Sequence, residues 1–159
     1  MRKIIITIVL LVSTIIFSSC DTNTKTTVGN YKKELSEEVI RCLDDNDEEG
    51  LKKLFCKATL SKTSTLDKQI SLAMEFYEGK CISHGIILGT EGSSIRGGDI
   101  SKEDINPHIC EIKTDQDKTY DIWICSYKTN TEYPEKVGIS EIHIKSEDGS
   151  ECTIGEYIY

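Results

Sequence analysis

The sequence predicts an α+β fold in which N-terminal helices pack on one face of an antiparallel sheet. Between residues 31 and 79, apolar residues recur at the three-to-four-residue spacing of amphipathic helices. From residue 81 onward they alternate with polar residues, as in strands with one buried face, and turn-forming residues separate the segments. Helices followed by a run of antiparallel strands are typical of α+β proteins whose helices cover one face of the sheet.

Three helices are predicted before the strands. The first covers residues 31–43, where an apolar face alternates with charged positions. Asp47 is predicted to cap a second helix, whose apolar stripe continues to Ala58. Thr65 is predicted to cap a third helix, and Gly79 to stop it. The three apolar faces would supply the helix side of the core.

Five strands are predicted after the helices, at residues 81–88, 105–113, 120–127, 137–145 and 152–159. Residues 89–99 are rich in glycine and are predicted to form a mobile loop. This loop does not match a phosphate-binding P-loop, because no Lys-Ser/Thr pair and no helical pattern follow it.

Alternation along the strands predicts which side chains face the helices. The predicted inward set is Cys110, Ile112, Ile122, Ile124, Ile142 and Ile144. The opposite face of the sheet would then carry Ile109, Trp123, Cys125 and Tyr127.

The N-terminus has the layout of an export signal. Arg2 and Lys3 precede an apolar run over residues 4–17, which is shorter than the ~20 residues that span a bilayer. Ser18–Ser19 then lead into Cys20, and this ending resembles the lipobox of bacterial lipoproteins. In that family a peptidase cuts before the cysteine, whose thiol carries a lipid. A plain secretory signal and an uncleaved anchor are the alternatives.

The resemblance implies a signal peptide over residues 1–19 and a lipid on Cys20 that holds the protein on the extracytoplasmic side of the cell membrane. Residues 20–30 are polar and lack periodicity, so they are predicted to form a flexible tether to a single domain at 31–159. Loss of the signal peptide, with its two positive charges, would change the net charge from −8 to −10. Such an acidic chain argues against nucleic acid as a partner.

Six cysteines besides Cys20 leave two interpretations open. Their even number in an exported protein is compatible with disulfides. Cys42 and Cys56, however, lie at apolar positions of predicted helices, which favours buried free thiols. No CxxC spacing is present, so neither a structural zinc site nor a cofactor is predicted.

Four segments resemble successive blocks of a lipoprotein family known as domain of unknown function 5104. They are LKKLFCKATLS, LDKQISLAMEFYEGK, TYDIWI and PEKVGISEIHI, and the likeness covers roughly residues 34–145. It implies a fold similar to nuclear transport factor two-like or cystatin-like proteins, with helices on a curved antiparallel sheet. That superfold includes isomerases, dehydratases and pure binding modules, and the family implies no catalytic residues.

The favoured function is a lipid-anchored binding or assembly module that contacts a second copy or another protein through the open sheet face. Its interaction patch would comprise Ile109, Trp123 and Tyr127, since aromatic clusters are common at interfaces. The alternative is a small-molecule-binding protein or an isomerase/dehydratase-type enzyme that uses a cavity between helices and sheet. His108 and Tyr120 are its candidate polar groups, whereas His143 is predicted to face solvent.

Overall fold

Helices form the first part of the chain in the computed structural model, which describes residues 22–89 and 91–158. The described helices are α1 (Thr22–Asp44), α2 (Glu48–Lys53), α3 (Lys57–Lys62) and α4 (Leu66–Phe76). Within the described residues, no helix combines the length and apolarity that a membrane crossing requires. Cys20 and the predicted signal peptide lie outside this range.

Helix α1 begins at Thr22, so the predicted flexible tether is wrong for residues 22–30. Tertiary packing explains the longer helix. Val28 is buried, and Lys32 is fully buried with its ammonium donating a hydrogen bond to the carbonyl of Leu88. Residues 28–32 of α1 are therefore held against the end of the first strand, a contact that local periodicity does not reveal.

The predicted second helix is two short helices with extended backbone between them. The amide of Ile139 donates to the carbonyl of Leu54 at 2.9 Å, and Cys56 donates to the carbonyl of Ile139 at 2.8 Å. This pairing with a strand interrupts the helix after Lys53. The Asp47 cap is confirmed, because its carboxylate accepts the amide of Gly50 at 2.8 Å.

Seven strands form one sheet in the described chain. They are β1 (Cys81–Ile87), β2 (Glu91–Arg96), β3 (Asp99–Ile105), β4 (His108–Thr114), β5 (Thr119–Asn130), β6 (Gly138–Ser146) and β7 (Glu151–Gly155). The predicted loop at 89–99 is wrong, since β2 and β3 form a hairpin through Gly97 and Gly98. Both glycines have positive φ angles, +66° and +95°, which suit a tight hairpin turn.

Strand β5 is the centre of the sheet. On one side it pairs with β6, and β6 pairs with β7. On the other side its first half pairs with β4, which pairs with β1, and its second half pairs with β3, which pairs with β2. All of these pairings are antiparallel, so the predicted α+β class with an antiparallel sheet is confirmed.

The core lies between the sheet and the helices, where isoleucines of β5 and β6 pack against apolar residues of α1 and α4. Four predicted inward residues of these strands are buried: Ile122, Ile124, Ile142 and Ile144. The prediction that these four residues face the core, made from their alternation along the strands, is confirmed.

A β-bulge in β4 overturns part of the predicted face assignment. Ile109 pairs with Ile122 and Ile112 pairs with Tyr120, so β4 has one more residue than β5 over this stretch. Glu111 takes up the extra residue with a left-handed φ of +51°. Both Ile109 and Ile112 therefore face the core. The predictions of Ile109 on the open face and Cys110 in the core were wrong.

The six cysteines of the described chain are free thiols, which decides between the two interpretations left open by the sequence. Cys42 and Cys56 are buried, as the helical patterns predicted, although Cys56 lies at the N-cap of α3 and not inside a helix. Burial raises the pKa of the Cys42 thiol to about 11, so this side chain packs as a neutral, small apolar group.

Candidate binding face on the outer side of the sheet

The side of the sheet opposite the helices is called the outer face here. Strand register brings His108, Trp123, His143 and Thr153 side by side across β4, β5, β6 and β7. They alternate with the buried isoleucines and therefore point away from the core. Trp123 is half-buried on this face, where the alternation predicted it to be.

Trp123 lies between two histidines, and these three residues are called the histidine–tryptophan row. The rings of His108 and Trp123 are nearly parallel, with centroids 4.5 Å apart and an interplanar angle of 11°. His143 lies on the other side, 5.6 Å away and tilted by 43°. One stacked and one tilted ring contact restrict the orientation of the indole and leave part of it accessible.

Carboxylates lie near both histidine rings at the ends of the row. His108 Nε2 lies 3.4 Å from Asp121 Oδ1, which also accepts the amide of the bulge residue Glu111 at 3.0 Å. His143 Nδ1 lies 3.1 Å from the hydroxyl of Thr153, and its Nε2 lies 3.7 Å from Glu151. The row is thus an aromatic centre with a polar, charged border.

The candidate cavity residues His108 and Tyr120 are not brought together, and the prediction that His108 faces the core was wrong. The bulge at Glu111 reverses the parity from which that prediction was made. Tyr120 is buried, and its hydroxyl donates to the carbonyl of Phe76 at 3.1 Å and accepts the amide of Glu78 at 3.0 Å. Tyr120 thereby satisfies backbone groups at the end of α4, which is a structural role.

The other two residues of the predicted patch are less accessible than expected. Ile109 is fully buried in the core, and Tyr127 is only 6% exposed, with the ammonium of Lys102 at 5.0 Å from its ring centre. Tyr157, which is 46% exposed, lies near Tyr127. Partial burial has the largest effect and the nearby Tyr127 the next largest in raising the pKa of the Tyr157 phenol. Of the three residues of the predicted patch, Trp123 therefore keeps the most accessible surface.

Sequence reasoning missed the contribution of both histidines. His143 was correctly predicted to face away from the core, but its distance from Trp123 depends on strand register, which the sequence does not state. Ile87 extends the same line of residues on β1, because it pairs with His108 and is 53% exposed. The arrangement is a broad surface with an aromatic centre, which suits the binding of another surface better than acid–base chemistry in a pocket.

A comparison with the curated proteins finds no significant match to this chain. A family model described as Domain of unknown function (DUF5104) matches residues 38–148. The matched region runs from α1 through β6 and includes all three residues of the histidine–tryptophan row. The chain therefore belongs to the DUF5104 family.

Proposed function

We propose that this protein is a binding or assembly module that contacts another protein through its outer face. The observation that carries the proposal is the half-buried indole of Trp123, which is stacked on His108 and in tilted contact with His143 in the middle of that face. Tryptophan is among the residues most enriched in interface hot spots, which lie in the centre of a contact and are bordered by polar groups.

Preorganisation supports this function. An aromatic side chain that is already fixed loses little rotamer freedom when a partner covers it, so more of the gain from burial remains as affinity. The ring contacts on both sides of Trp123 supply that rigidity. Asp121, Lys145 and Glu151 border the row and would form the polar rim of the contact.

Charge favours a different protein over a second copy as the partner. Each chain carries a net charge of −8, and two such molecules repel one another at low ionic strength. A partner that is neutral or basic avoids this cost.

Site-specific photo-crosslinking in living cells tests the proposal. A benzoylphenylalanine at Thr153, which is exposed beside His143, should give a discrete higher-mass adduct. The same group at Leu72, an exposed residue of α4, is the matched control and should give none. Trp123→Ala should abolish the adduct and Trp123→Phe should retain part of it.

Equal adducts from positions 153 and 72, or an adduct unchanged by Trp123→Ala, would show that the outer face is not the contact surface. An adduct of twice the mass of the chain would identify a second copy as the partner, and mass spectrometry of the adduct distinguishes the two cases.

We further propose that the protein is a lipoprotein of the cell envelope, anchored on the extracytoplasmic side by a lipid on Cys20. Support comes from the basic start, short apolar run and Ser-Ser-Cys ending of residues 1–20. Cells labelled with a clickable analogue of palmitate should show the label on the wild-type chain and not on Cys20→Ala. Equal labelling of the two proteins would exclude this anchor.

We also infer that the fold belongs to the nuclear transport factor two-like or cystatin-like group. Support comes from helices packed on one face of an antiparallel sheet and from bulges at Glu111 and Ser140, since bulges bend strands and curve a sheet. Superposition of a crystal structure on members of that group tests the assignment. A different strand order in the superposed sheets would contradict it.

A further inference from the structure

One end of the molecule, where the first turns of α1 meet the last residues of β1, lies close to the proposed lipid. Helix α1 begins at Thr22, only two positions after Cys20. Two residues span at most ~7 Å, and a helix rises by ~10 Å from Thr22 to Gly29. A lipid on Cys20 would therefore begin within ~20 Å of Gly29.

Strand β1 runs beside α1 in the opposite direction, as two contacts show. At the start of the strand, the amide of Cys81 donates to the carboxylate of Asp44 at 2.8 Å, close to the last turn of α1. Just beyond the end of the strand, the carbonyl of Leu88 accepts a hydrogen bond from the ammonium of Lys32. The end of β1 therefore lies beside the first turns of α1, which are the turns nearest Cys20 in the chain.

Two apolar side chains at this end are accessible to solvent. Ile87, the strand partner of His108, is 53% exposed, and Leu88 is 46% exposed. The position that a Cβ on Gly29 would occupy lies 3.9 Å from Leu88 Cδ1, so Leu88 lies against α1. Ile86 and Leu88 form the apolar wall of a groove of about 580 Å³ between α1 and β1. Accessible apolar groups next to a lipid anchor are suited to the boundary between headgroups and acyl chains.

Charge along α1 is divided in the same direction. Residues 22–33 contain three lysines and no acidic residue, whereas residues 34–44 contain four carboxylates and one arginine, and residues 45–49 contain four more carboxylates. Lys32 is buried, but Lys33 is exposed, and no carboxylate of the described chain lies within ion-pair distance of it. The surface potential of anionic lipids attracts lysines and repels carboxylates, so it favours an orientation with the first turns of α1 toward the membrane.

We propose that this end of the molecule lies on the lipid bilayer, with Ile87 and Leu88 at the boundary between headgroups and acyl chains. The inference rests on the proposed lipid at Cys20, which supplies most of the membrane affinity. Helix α1 is continuous from Thr22 into the core, so it transmits the position of its first turn to the whole domain. The histidine–tryptophan row, whose line Ile87 continues, would then begin at the bilayer surface.

Fluorescence quenching on the full-length lipidated chain in vesicles tests this orientation. Dansylalanine replaces Leu88 in one variant, Ile87 in a second and Ile82 in a third. The vesicles contain phosphatidylethanolamine and phosphatidylglycerol, and part of the lipid carries a nitroxide near the top of the acyl chain, which quenches dansyl only at short range. Ile82 is the matched control, because it is an apolar residue near the start of the same strand and is 69% exposed, more than either of the other two.

The emission at positions 87 and 88 should fall at least ~2-fold in vesicles with nitroxide lipid, since both groups would lie within the ~5–10 Å that interfacial apolar groups enter. The emission at position 82 should be unchanged, because the length of β1 separates it from position 88 by ~20 Å. Circular dichroism of each variant verifies the fold, and positions 87 and 88 report independently of one another.

Equal quenching at positions 82 and 88, or no quenching at 87 and 88, in protein that floats with the vesicles in a density gradient would overturn the orientation and leave the lipid anchor intact. Stronger quenching at position 82 than at 88 would do the same, since it would show that the opposite end of β1 meets the bilayer. Protein that does not float with the vesicles would overturn the anchor and the orientation together.

Discussion

Replacing Ile109 by alanine should lower the free energy of unfolding by about 3 kcal/mol, within the ~2–5 kcal/mol that Ile→Ala costs in protein cores. Ile109 is 0% exposed and pairs with Ile122 on β5 and Ile86 on β1. The cavity left by the substitution is therefore enclosed by the core, and exposed side chains cannot move in to fill it. Cys110 is half-buried outside the core, and Cys110→Ala should cost less than about 1 kcal/mol. The pair of variants therefore tests the bulge at Glu111.

Urea unfolding, monitored by far-UV circular dichroism, measures the free energy of unfolding of both variants. The two values can be compared directly if the m-values are equal. For a folded part of this size, each kcal/mol shifts Tm by roughly 3–5 °C, so Ile109→Ala should lower Tm by roughly 10 °C. A larger loss for Cys110→Ala than for Ile109→Ala would refute the register of β4. It would also separate His108 from Trp123, and with it the basis of the histidine–tryptophan row.

Three further predictions concern other parts of the molecule. Trp123→Ala should cost about 1–2 kcal/mol, because each aromatic stack is worth ~0.5–1.5 kcal/mol; a loss of ~4 kcal/mol or more in urea unfolding would instead place the indole in the core. Cys42 and Cys56 should react slowly with a maleimide in buffer and rapidly in denaturant without reductant; a requirement for reductant would indicate disulfides. The guanidinium of Arg41, followed by the amide of Gly50, lowers the pKa of Asp47. Asp47→Ala should therefore be destabilising above the ordinary aspartate pKa of 3.8, and the difference from wild type should shrink as pH falls through the lower folded-state value. Urea titrations of both proteins from pH 7 to about pH 2 measure it, and a pH-independent difference would argue against an ionised cap.

Local sequence patterns were sufficient to predict the elements in which each side keeps the same environment along its length. Ile122 and Ile124 alternate with the half-buried residues Asp121, Trp123 and Cys125, because one side of β5 is buried and the other is not. Asp47 was recognisable because an aspartate before a helix can accept its first free amides. In both cases the physical signal lies within a few residues of the feature that it predicts.

The same reasoning failed where both sides of a strand meet solvent. Most of the described side chains of β2, in the segment predicted as a loop, are exposed, so alternation has nothing to select and the strand is polar.

The sequence by itself determined the α+β class, the helix cap at Asp47, and the burial of the β5 and β6 isoleucines, because these depend on local periodicity and capping chemistry. Only the tertiary structure decided which residues of β4 face the core. A single glutamate at φ +51°, held by the carboxylate of Asp121, inserts one residue into the strand and reverses its parity. Glutamate has no sequence preference for that conformation, so the stacking of His108 on Trp123 could be found only from the paired strands.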